Sequence, residues 1–587
     1  MANETIPREI LAQHIIPDNH PESDYFSALK ECVAARNTAA SDVEKEAWQQ
    51  AIDAIYTLVG EEIVTNTAQP VEPVSFGTSG WRGILGKDIF VQSISYVTCA
   101  ILQLYKLGEE NQAIQEALGG LNSKAMRENG CVVGFDNRFG GKMLALAVVN
   151  ILHAAGVKVY YAGEATTGAL SASVLRNRAA CSINLTPSHN PLEYGGIKYN
   201  AADAGPAVPL LTDTLTALSR EYIAGEPCPF MLEAEQLLRP INSLTGIIKE
   251  DALQSWQELI RSNTALHGID YPGLLEAINT HNDLTICVDA MHGASRNYLR
   301  RLLGNPDSGK LTILRSDDDP TFGGIAPEPS SHNMQPTMAY LKDRQASLKV
   351  GAIIDPDGDR IRFTDGDIEI SMNQFGAMAY HFIHQVKHKK GMVAKTVASS
   401  NLANAVAMQL GEEVFEPKVG FKEFKPVFNK ALVCFEESDG ISIIGHTPEK
   451  DAFIGLILAI DMIQELNISL GDYLQQIEQT YGRYYPGRGG IIVSQKGAEL
   501  RQNLKQLDHY SEGAIVQVGD AEKKIVQVIA IDGRKMIFED GSWIMIRPSG
   551  TEPKVRFYVE ARNPQETELL VKSAHSMLAQ IGLLPYC

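Results

Sequence analysis

Nowhere in this chain do eighteen or so apolar residues run together, the length a helix needs to cross a bilayer. The richest stretches, Leu144–Tyr161 and Phe453–Ile463, are interrupted by polar groups. Paired cysteines are also missing. The eight cysteines stand singly, none in a C-x-x-C, and Cys131, Cys181, Cys287 and Cys434 lie in apolar, strand-like runs. This excludes a cysteine zinc site and fits reduced, buried thiols in a reducing compartment. Positive charge is scarce. With 52 Lys and Arg against 71 Asp and Glu, the formal charge of −19 argues against nucleic acid or an anionic membrane as partner. Met1-Ala2-Asn3-Glu4 offers neither a basic flank nor an apolar segment, so no secretory signal and a cytoplasmic location are expected. The G-x-S-x-G of α/β-hydrolases does not occur, and neither do the phosphate loop or the dinucleotide fingerprint.

What is present is a globular composition, 44% hydrophobic and 21% charged, in 587 residues. That length exceeds a single core and implies roughly three to five domains. An anionic substrate would need a cleft that is basic against the overall field, with its Arg and Lys residues in polar loops. Residues 1–70 read as a helical preface: apolar residues recur at helical spacing from Tyr25 to Leu58, and Pro70 and Pro73 end it. Packing or oligomer contact is its expected role. Strand-like and helix-like runs then alternate: Cys131–Phe135, Lys142–Ala155, Val157–Ala162, Ala169–Arg176, Ala180–Leu185. After a polar helical stretch near Glu233–Ser262 the alternation restarts at Leu284–Asp289 and closes at Val350–Ile354. A third round runs from Asn373 to Leu466. Such β-α-β alternation predicts doubly wound, largely parallel sheets. The tail differs, with short strands around Asp532-Gly533 and Asp540-Gly541, both hairpin signals, and a helix over Glu566–Ile581.

Four polar loops carry chemistry. Thr186-Pro187-Ser188-His189-Asn190-Pro191 follows the apolar run ending at Leu185, and its prolines stop both helix and ladder. Ser188 at such a strand end is a turn residue or a nucleophile. Asp355-Pro356-Asp357-Gly358-Asp359-Arg360 follows Ala352-Ile353-Ile354. Its three alternating carboxylates suit Mg²⁺ better than a solvated turn, because an unpaired acidic turn after a buried strand repels itself. A calcium loop does not fit, since glycine stands fourth and position twelve is Gly366. Cys434-Phe435-Glu436-Glu437-Ser438-Asp439-Gly440 offers general acid and base groups or, more economically, partners for vicinal hydroxyls. Arg547-Pro548-Ser549-Gly550-Thr551-Glu552-Pro553 is either a hairpin with an exposed arginine or an anion cradle. Phe76-Gly77-Thr78-Ser79-Gly80-Trp81-Arg82-Gly83 adds a glycine-dense loop with one arginine.

Together, in this order, the four strand-end motifs resemble the α-D-phosphohexomutase superfamily, most closely its phosphoglucomutase branch, over about residues 74–580. The resemblance implies an α/β fold of four domains around a central cleft. Three similar α/β domains have mixed, mostly parallel sheets flanked by helices, and the fourth is α+β. The expected spans are an N-terminal extension over 1–70, then 71–240 with the phosphoserine loop, 241–365 with the metal loop, 366–482 with the sugar loop and 483–587 with the phosphate loop. It further implies Mg²⁺, a hexose 1,6-bisphosphate intermediate and activator, and transfer of phosphate between the 1- and 6-positions of a hexose, by a monomer or homodimer. Glucose is the expected sugar; mannose or an amino sugar is the alternative, and a catalytically silent sugar-phosphate binder is the alternative of another class. Ser188 looks like the phosphorylated nucleophile, with His189 beside it. Asp355, Asp357 and Asp359 look like the Mg²⁺ ligands, completed by the phosphate on Ser188. Lys198 resembles the general acid/base, with Arg82 assisting. It is expected to work as a base because burial beside Arg82 and the metal lowers its pKa. Glu436 and Ser438 look like the hydroxyl clamp. Gly420 and Lys422, in Gly420-Phe421-Lys422, are similar to a sugar-contacting loop, and Lys450 is expected to line the same cleft. Arg547, Ser549, Gly550 and Thr551 resemble the cradle for the phosphate that stays. The chain departs from the family pattern at Phe435 and Asp439, which bears on sugar identity rather than on the chemistry.

Overall fold

Runs that are apolar on every position can be accommodated only as strands covered on both faces, and these runs form the parallel centre of each sheet. The computed structural model describes residues 5–77, 80–307, 309–495, 497–549 and 554–584. In the first sheet Cys131–Phe135 lies parallel to Val159–Glu164 on one side and Cys181–Leu185 on the other. Tyr194–Asn200 then turns straight back, antiparallel, with Lys198 opposite Asn184. The second sheet repeats the plan. Leu284–Asp289 lies parallel to Leu311–Leu314 and Leu348–Ile354, and Ile361–Thr364 folds back on the latter. In the third, Val393–Lys395 lies parallel to Val414–Phe415 and Val433–Glu436, and Gly440–Ile443 folds back. The loops carrying Ser188, the three aspartates and Glu437-Ser438-Asp439 thus occupy one equivalent position, the carboxyl end of the last parallel strand. Crevices at such ends are where open α/β sheets bind ligands.

The fourth sheet is antiparallel throughout, from Tyr485–Ile492 at one edge to Ile515–Val518 at the other. The helix Pro564–Gln580 covers it. Gly533 and Gly541 take positive φ at the two expected hairpins.

Some elements differ from the sequence reading. The helical run from Tyr25 is two helices, Tyr25–Thr38 and Asp42–Thr65, because Ser41 starts a new one by accepting the Glu44 amide on its hydroxyl at 3.3 Å. The first sheet reaches past residue 240: Ile248–Lys249 pairs with Tyr160 and Tyr161 as its edge. The helix before Leu348 spans Ser331–Lys342, capped by Ser330 and tolerating Pro336 inside. Among the described residues no single helix is long and apolar enough to cross a membrane. Ala452–Leu466 and Leu470–Tyr481 reach that length only jointly, across an 80° bend, and the first is buried from Ala452 to Ile463.

The fourth sheet docks on the third through one face of its strands. Trp543, Met545 and Tyr558 pack on Val397 and Ala398. Trp543 Nε1 donates to Glu560 at 3.0 Å, and Glu560 also accepts the Asn401 amide at 3.0 Å. Lys535 is enclosed in this contact, donating to the Val397 carbonyl at 2.8 Å and lying 3.9 Å from the Trp543 ring centre. Burial, then the neighbouring Lys395 charge, brings its pKa down to about 7, against the pull of Glu416 and Glu560. The unfolded chain keeps this proton up to about pH 10.4. Between about pH 7 and 10 the unfolded state therefore binds the extra proton, and stability rises with pH by at most about 1.4 kcal/mol per unit from this group. Thermal melts at pH 7 and 9 should show the wild type gaining more stability than Lys535→Met; equal gains would remove the assignment.

Candidate active site

Two prolines and a strand end force the backbone at 186–191 out of regular structure. Ser188 sits there with φ of 60° and is 1% exposed. A left-handed serine costs on the order of 1–3 kcal/mol and persists only when its surroundings over-determine it. Here they do. The Ser188 amide donates to Thr186 Oγ1 at 2.8 Å, and Thr186 donates to Asp136 Oδ2 at 2.6 Å. The Arg138 guanidinium donates to the carbonyls of Ser188 and Pro191, each at 2.7 Å, and to that of Asn190. The hydroxyl is left facing the second sheet's loop. Ser188 Oγ donates to Asp355 Oδ2 at 3.2 Å, and His189 Nδ1 lies 3.4 Å away.

Asp355, Asp357 and Asp359 are all buried, with candidate ligand oxygens within 4.8 Å of one another. The loop is stitched in place from three directions. Asp355 Oδ1 accepts the amides of Asp359 and Arg360 at 3.0 Å. Thr167 donates its amide to the Asp357 carbonyl and its hydroxyl to Asp357 Oδ2, at 2.8 and 2.7 Å. The Ile361 amide donates to the Asp439 carbonyl, and the Ala452 amide to that of Gly358. Burial, then the charges of Asp359 and Asp357, pushes the Asp355 carboxyl well above its ordinary range. Asp359 is held well below it, because Lys198, Lys450 and Arg360 outweigh its burial. Asp357 Oδ1 and Asp359 Oδ1 are buried without a hydrogen-bond partner. Orphaned hard oxygens from three converging carboxylates fit a small divalent cation such as Mg²⁺.

Lys198, on the returning strand of the first sheet, donates to Asp357 Oδ2 at 2.5 Å and Asp359 Oδ2 at 2.8 Å. The expected lowering counted on the metal as well as on burial; among the protein's own groups the balance runs the other way. Burial works to lower the value, but the two aspartates, with Glu449 behind them, outweigh it and hold the ammonium well above its ordinary value. Lys450 reaches Asp359 at 3.3 Å. Arg82 donates to Asn190 Oδ1 at 3.0 Å. Burial, then Arg360 and Arg82, keeps His189 well below the usual imidazole value and therefore neutral.

In the third sheet's loop Glu436 accepts the Gly420 amide at 2.9 Å and a longer bond, 3.4 Å, from Ser438. Burial, and the charge of Glu437, raises the Glu436 pKa against Lys450. Lys422 is half-buried, which lowers its pKa. Phe435 is fully buried against Gly376, where an added Cβ would stand 2.5 Å from the ring. Asp439 takes a bidentate hold from Arg362 at 3.0 and 2.7 Å. One departure from the family pattern thus has a packing partner and the other an ion-pair partner within the fold. Arg547 pairs with Asp532 at 2.9 Å, and Asp532 also accepts the Val419 amide at 3.0 Å, which joins the fourth sheet to the Gly420 loop. The Ser549 amide donates to the Lys554 carbonyl; Gly550 and Thr551 lie outside the described residues. Sequence reasoning missed Arg556, directly opposite Arg547 across the ladder, and also Thr167, Arg360, Asp532 and the Asp136/Arg138 pair. The last had a signal: Asp136-Asn137-Arg138 is a polar loop after the apolar strand Cys131–Phe135, like the loops that were recognised.

Comparison with known proteins places this arrangement. Models of phosphoglucomutase/phosphomannomutase domains match in order: α/β/α domain I over residues 73–224, II over 271–368, III over 371–481 and the C-terminal domain over 499–574. The chain belongs to the phosphoglucomutase/phosphomannomutase family, the α-D-phosphohexomutases. It is a phosphohexomutase, an isomerase acting as an intramolecular phosphotransferase. Human phosphoglucomutase-1 is 25% identical over 85% of this chain and 92% of its own. A phosphoglucomutase/phosphomannomutase of Thermococcus kodakarensis is 27% identical over 84% and 95%. A phosphoglucosamine/phosphogalactosamine mutase of Sulfurisphaera tokodaii is 26% identical over 84% and 97%. Among solved structures, Paramecium parafusin, a phosphoglucomutase in an open form, superposes with a TM-score of 0.66 at 20% identity over 88% of this chain and 97% of its own. An Aspergillus fumigatus N-acetylphosphoglucosamine mutase with GlcNAc-6P and magnesium gives 0.50 at 13% identity over 90% and 99%.

Calorimetric titration with Mg²⁺ should show a single site, weakened at least about tenfold in Asp357→Asn. Undiminished binding in that variant would disqualify the triad.

Proposed function

We propose that this phosphohexomutase interconverts glucose 1-phosphate and glucose 6-phosphate through a phosphoserine at Ser188 and a hexose 1,6-bisphosphate. The observation that carries the reading is the meeting of Ser188 with Asp355 at 3.2 Å, beside a lysine that bridges Asp357 and Asp359. Asp355, Asp357 and Asp359 would hold Mg²⁺ together with the seryl phosphate. When bound, the ion offsets phosphate charge and draws on the carboxylates that keep Lys198 protonated. A sugar hydroxyl attacks the phosphorus in line, the bond from Ser188 Oγ to phosphorus breaks, and the new sugar phosphate bond forms. Such transfers depend mainly on positioning and charge neutralisation. Lys198 gives a proton to, or takes one from, the sugar oxygen, and Arg82, steadied by Asn190, supports the transferring phosphate. Neutral His189 stands beside Ser188 Oγ. Glu436 and Ser438 present acceptor and donor atoms to neighbouring hydroxyls, with Gly420, Lys422 and Lys450 along the same wall. Arg547, Ser549, Gly550 and Thr551, joined by Arg556, take the phosphate that is not transferred. The bisphosphate must then turn over while sheltered from water.

Relatives named for glucose, mannose and amino-sugar substrates are equally distant, so the sugar rests on the clamp chemistry. A single chain carries every loop, so a monomer suffices for activity. The cytoplasmic location is part of the proposal and agrees with an Arabidopsis relative named as cytoplasmic.

Ser188→Ala should lose mutase turnover and phosphate incorporation by at least about a thousandfold while keeping the wild-type circular dichroism spectrum. Retained turnover would refute the assignment. With a trace of glucose 1,6-bisphosphate and Mg²⁺, kcat/KM should favour glucose 1-phosphate over mannose 1-phosphate and glucosamine 1-phosphate by about tenfold or more. A reversed order would reassign the substrate without changing the chemistry.

A further inference from the structure

The helices Tyr25–Thr38 and Asp42–Thr65 have no part in the reaction described above, yet they touch both units that form the serine and aspartate loops. Against the first unit, Tyr56 stacks on Phe139 with ring centres 4.4 Å apart, Lys30 pairs with Glu193 at 2.8 Å, and Glu62 pairs with Lys87 at 2.6 Å. Against the second unit, Arg36 Nη2 donates to Asp319 Oδ2 at 3.1 Å and Thr321 Oγ1 at 3.3 Å, and Asn37 donates to the Gly323 carbonyl at 2.8 Å. Gly324 lies so close that a Cβ there would stand 2.9 Å from Val33.

Between these contacts lies Phe322. It is fully buried, takes a φ of 54°, and belongs to the same apolar cluster as Val33, Ile55, Val59 and Leu185. Its ring lies 4.7 Å from the Arg138 guanidinium carbon. That is the guanidinium that holds the carbonyls of Ser188, Asn190 and Pro191. Arg138 is thus fixed by Asp136 in its own loop and by an aromatic face from the second unit, and that face is held by the N-terminal helices. A planar guanidinium with four carbonyls to satisfy, that of Tyr194 included, must keep its plane, and a ring face is a means of keeping it.

We propose that the N-terminal helix pair is a brace that positions the nucleophile, acting through Arg36, the 319–324 loop, Phe322 and Arg138 on the strained backbone of Ser188. Arg36, Phe322 and Arg138 are positioning residues in this scheme. Its catalytic consequence rests on the phosphoserine reading above, but its structural content does not. The brace also ties the unit that carries the serine loop to the unit that carries the aspartate loop.

The test compares Arg36→Gln, Arg36→Lys and Phe322→Leu with wild type in the full chain. Amide hydrogen exchange is followed in 186–191 and in the strand 348–354. In Arg36→Gln and Phe322→Leu, exchange in 186–191 should rise about tenfold while 348–354 stays unchanged, and Arg36→Lys should recover most of the protection. Because the brace acts on the serine loop and not on the Arg547 loop, kcat should fall about tenfold or more with KM within about twofold. Unchanged exchange in 186–191, or an effect on KM alone, would overturn the proposal. Should Phe322→Leu fail to fold, Arg36→Gln decides it. Absence of mutase turnover in the wild type would count against the phosphoserine reading, and the exchange comparison would still decide the brace.

Discussion

Three carboxylates buried within 4.8 Å of one another are the constraint around which this molecule is assembled. No fold keeps such a cluster out of water unless positive charge is brought to it, and here that charge comes from separate units. Lys198 arrives on the returning strand of the first sheet, Lys450 from beyond the third sheet, and Arg360 from the aspartate loop itself. The same charge pairs also hold the units together. Lys198 illustrates the balance. Its burial alone would disfavour the ammonium, yet two carboxylates reverse the sign.

The repeated plan of the first three sheets explains how three different loops meet. Each sheet ends its parallel run with a strand that folds back on its neighbour, and the connecting loop projects at the carboxyl edge. Backbone bonds then join one loop to the next: the Thr167 amide to Asp357, the Ile361 amide to Asp439, and the Ala452 amide to Gly358. The fourth sheet joins differently, through an apolar face around Trp543 and through Asp532, which links Arg547 to the Gly420 loop.

The net charge of −19 does not describe the site. Lys198, Arg360 and Lys450 pair with the buried aspartates, and Arg82 and Arg138 hold the neighbouring serine loop. A locally basic site in an acidic protein attracts phosphates and rejects polyanions that need a broad basic surface.

Local chemistry alone determined a good deal. Doubly apolar strands, proline-bounded loops and alternating aspartates are legible in a linear chain because their spacing in sequence is their spacing in space. These features mark Ser188, Asp355, Asp357, Asp359, Glu436 and Arg547 within the sequence itself. Even two separate helices could have been read from Ser41, a capping residue inside an apparently continuous run. Tertiary structure decided whatever depends on partners distant in the chain. The protonation of Lys198 follows from aspartates 159 and 161 positions away. The packing of Phe435 depends on Gly376, and the ion pair of Asp439 on Arg362, neither of them a sequence neighbour. The strained backbone of Ser188 is held by Arg138, 50 positions back, and that arginine is flanked by a phenylalanine from another unit. Residue types fix what a group can do, but desolvation and nearby charge, which only folding assembles, fix its state.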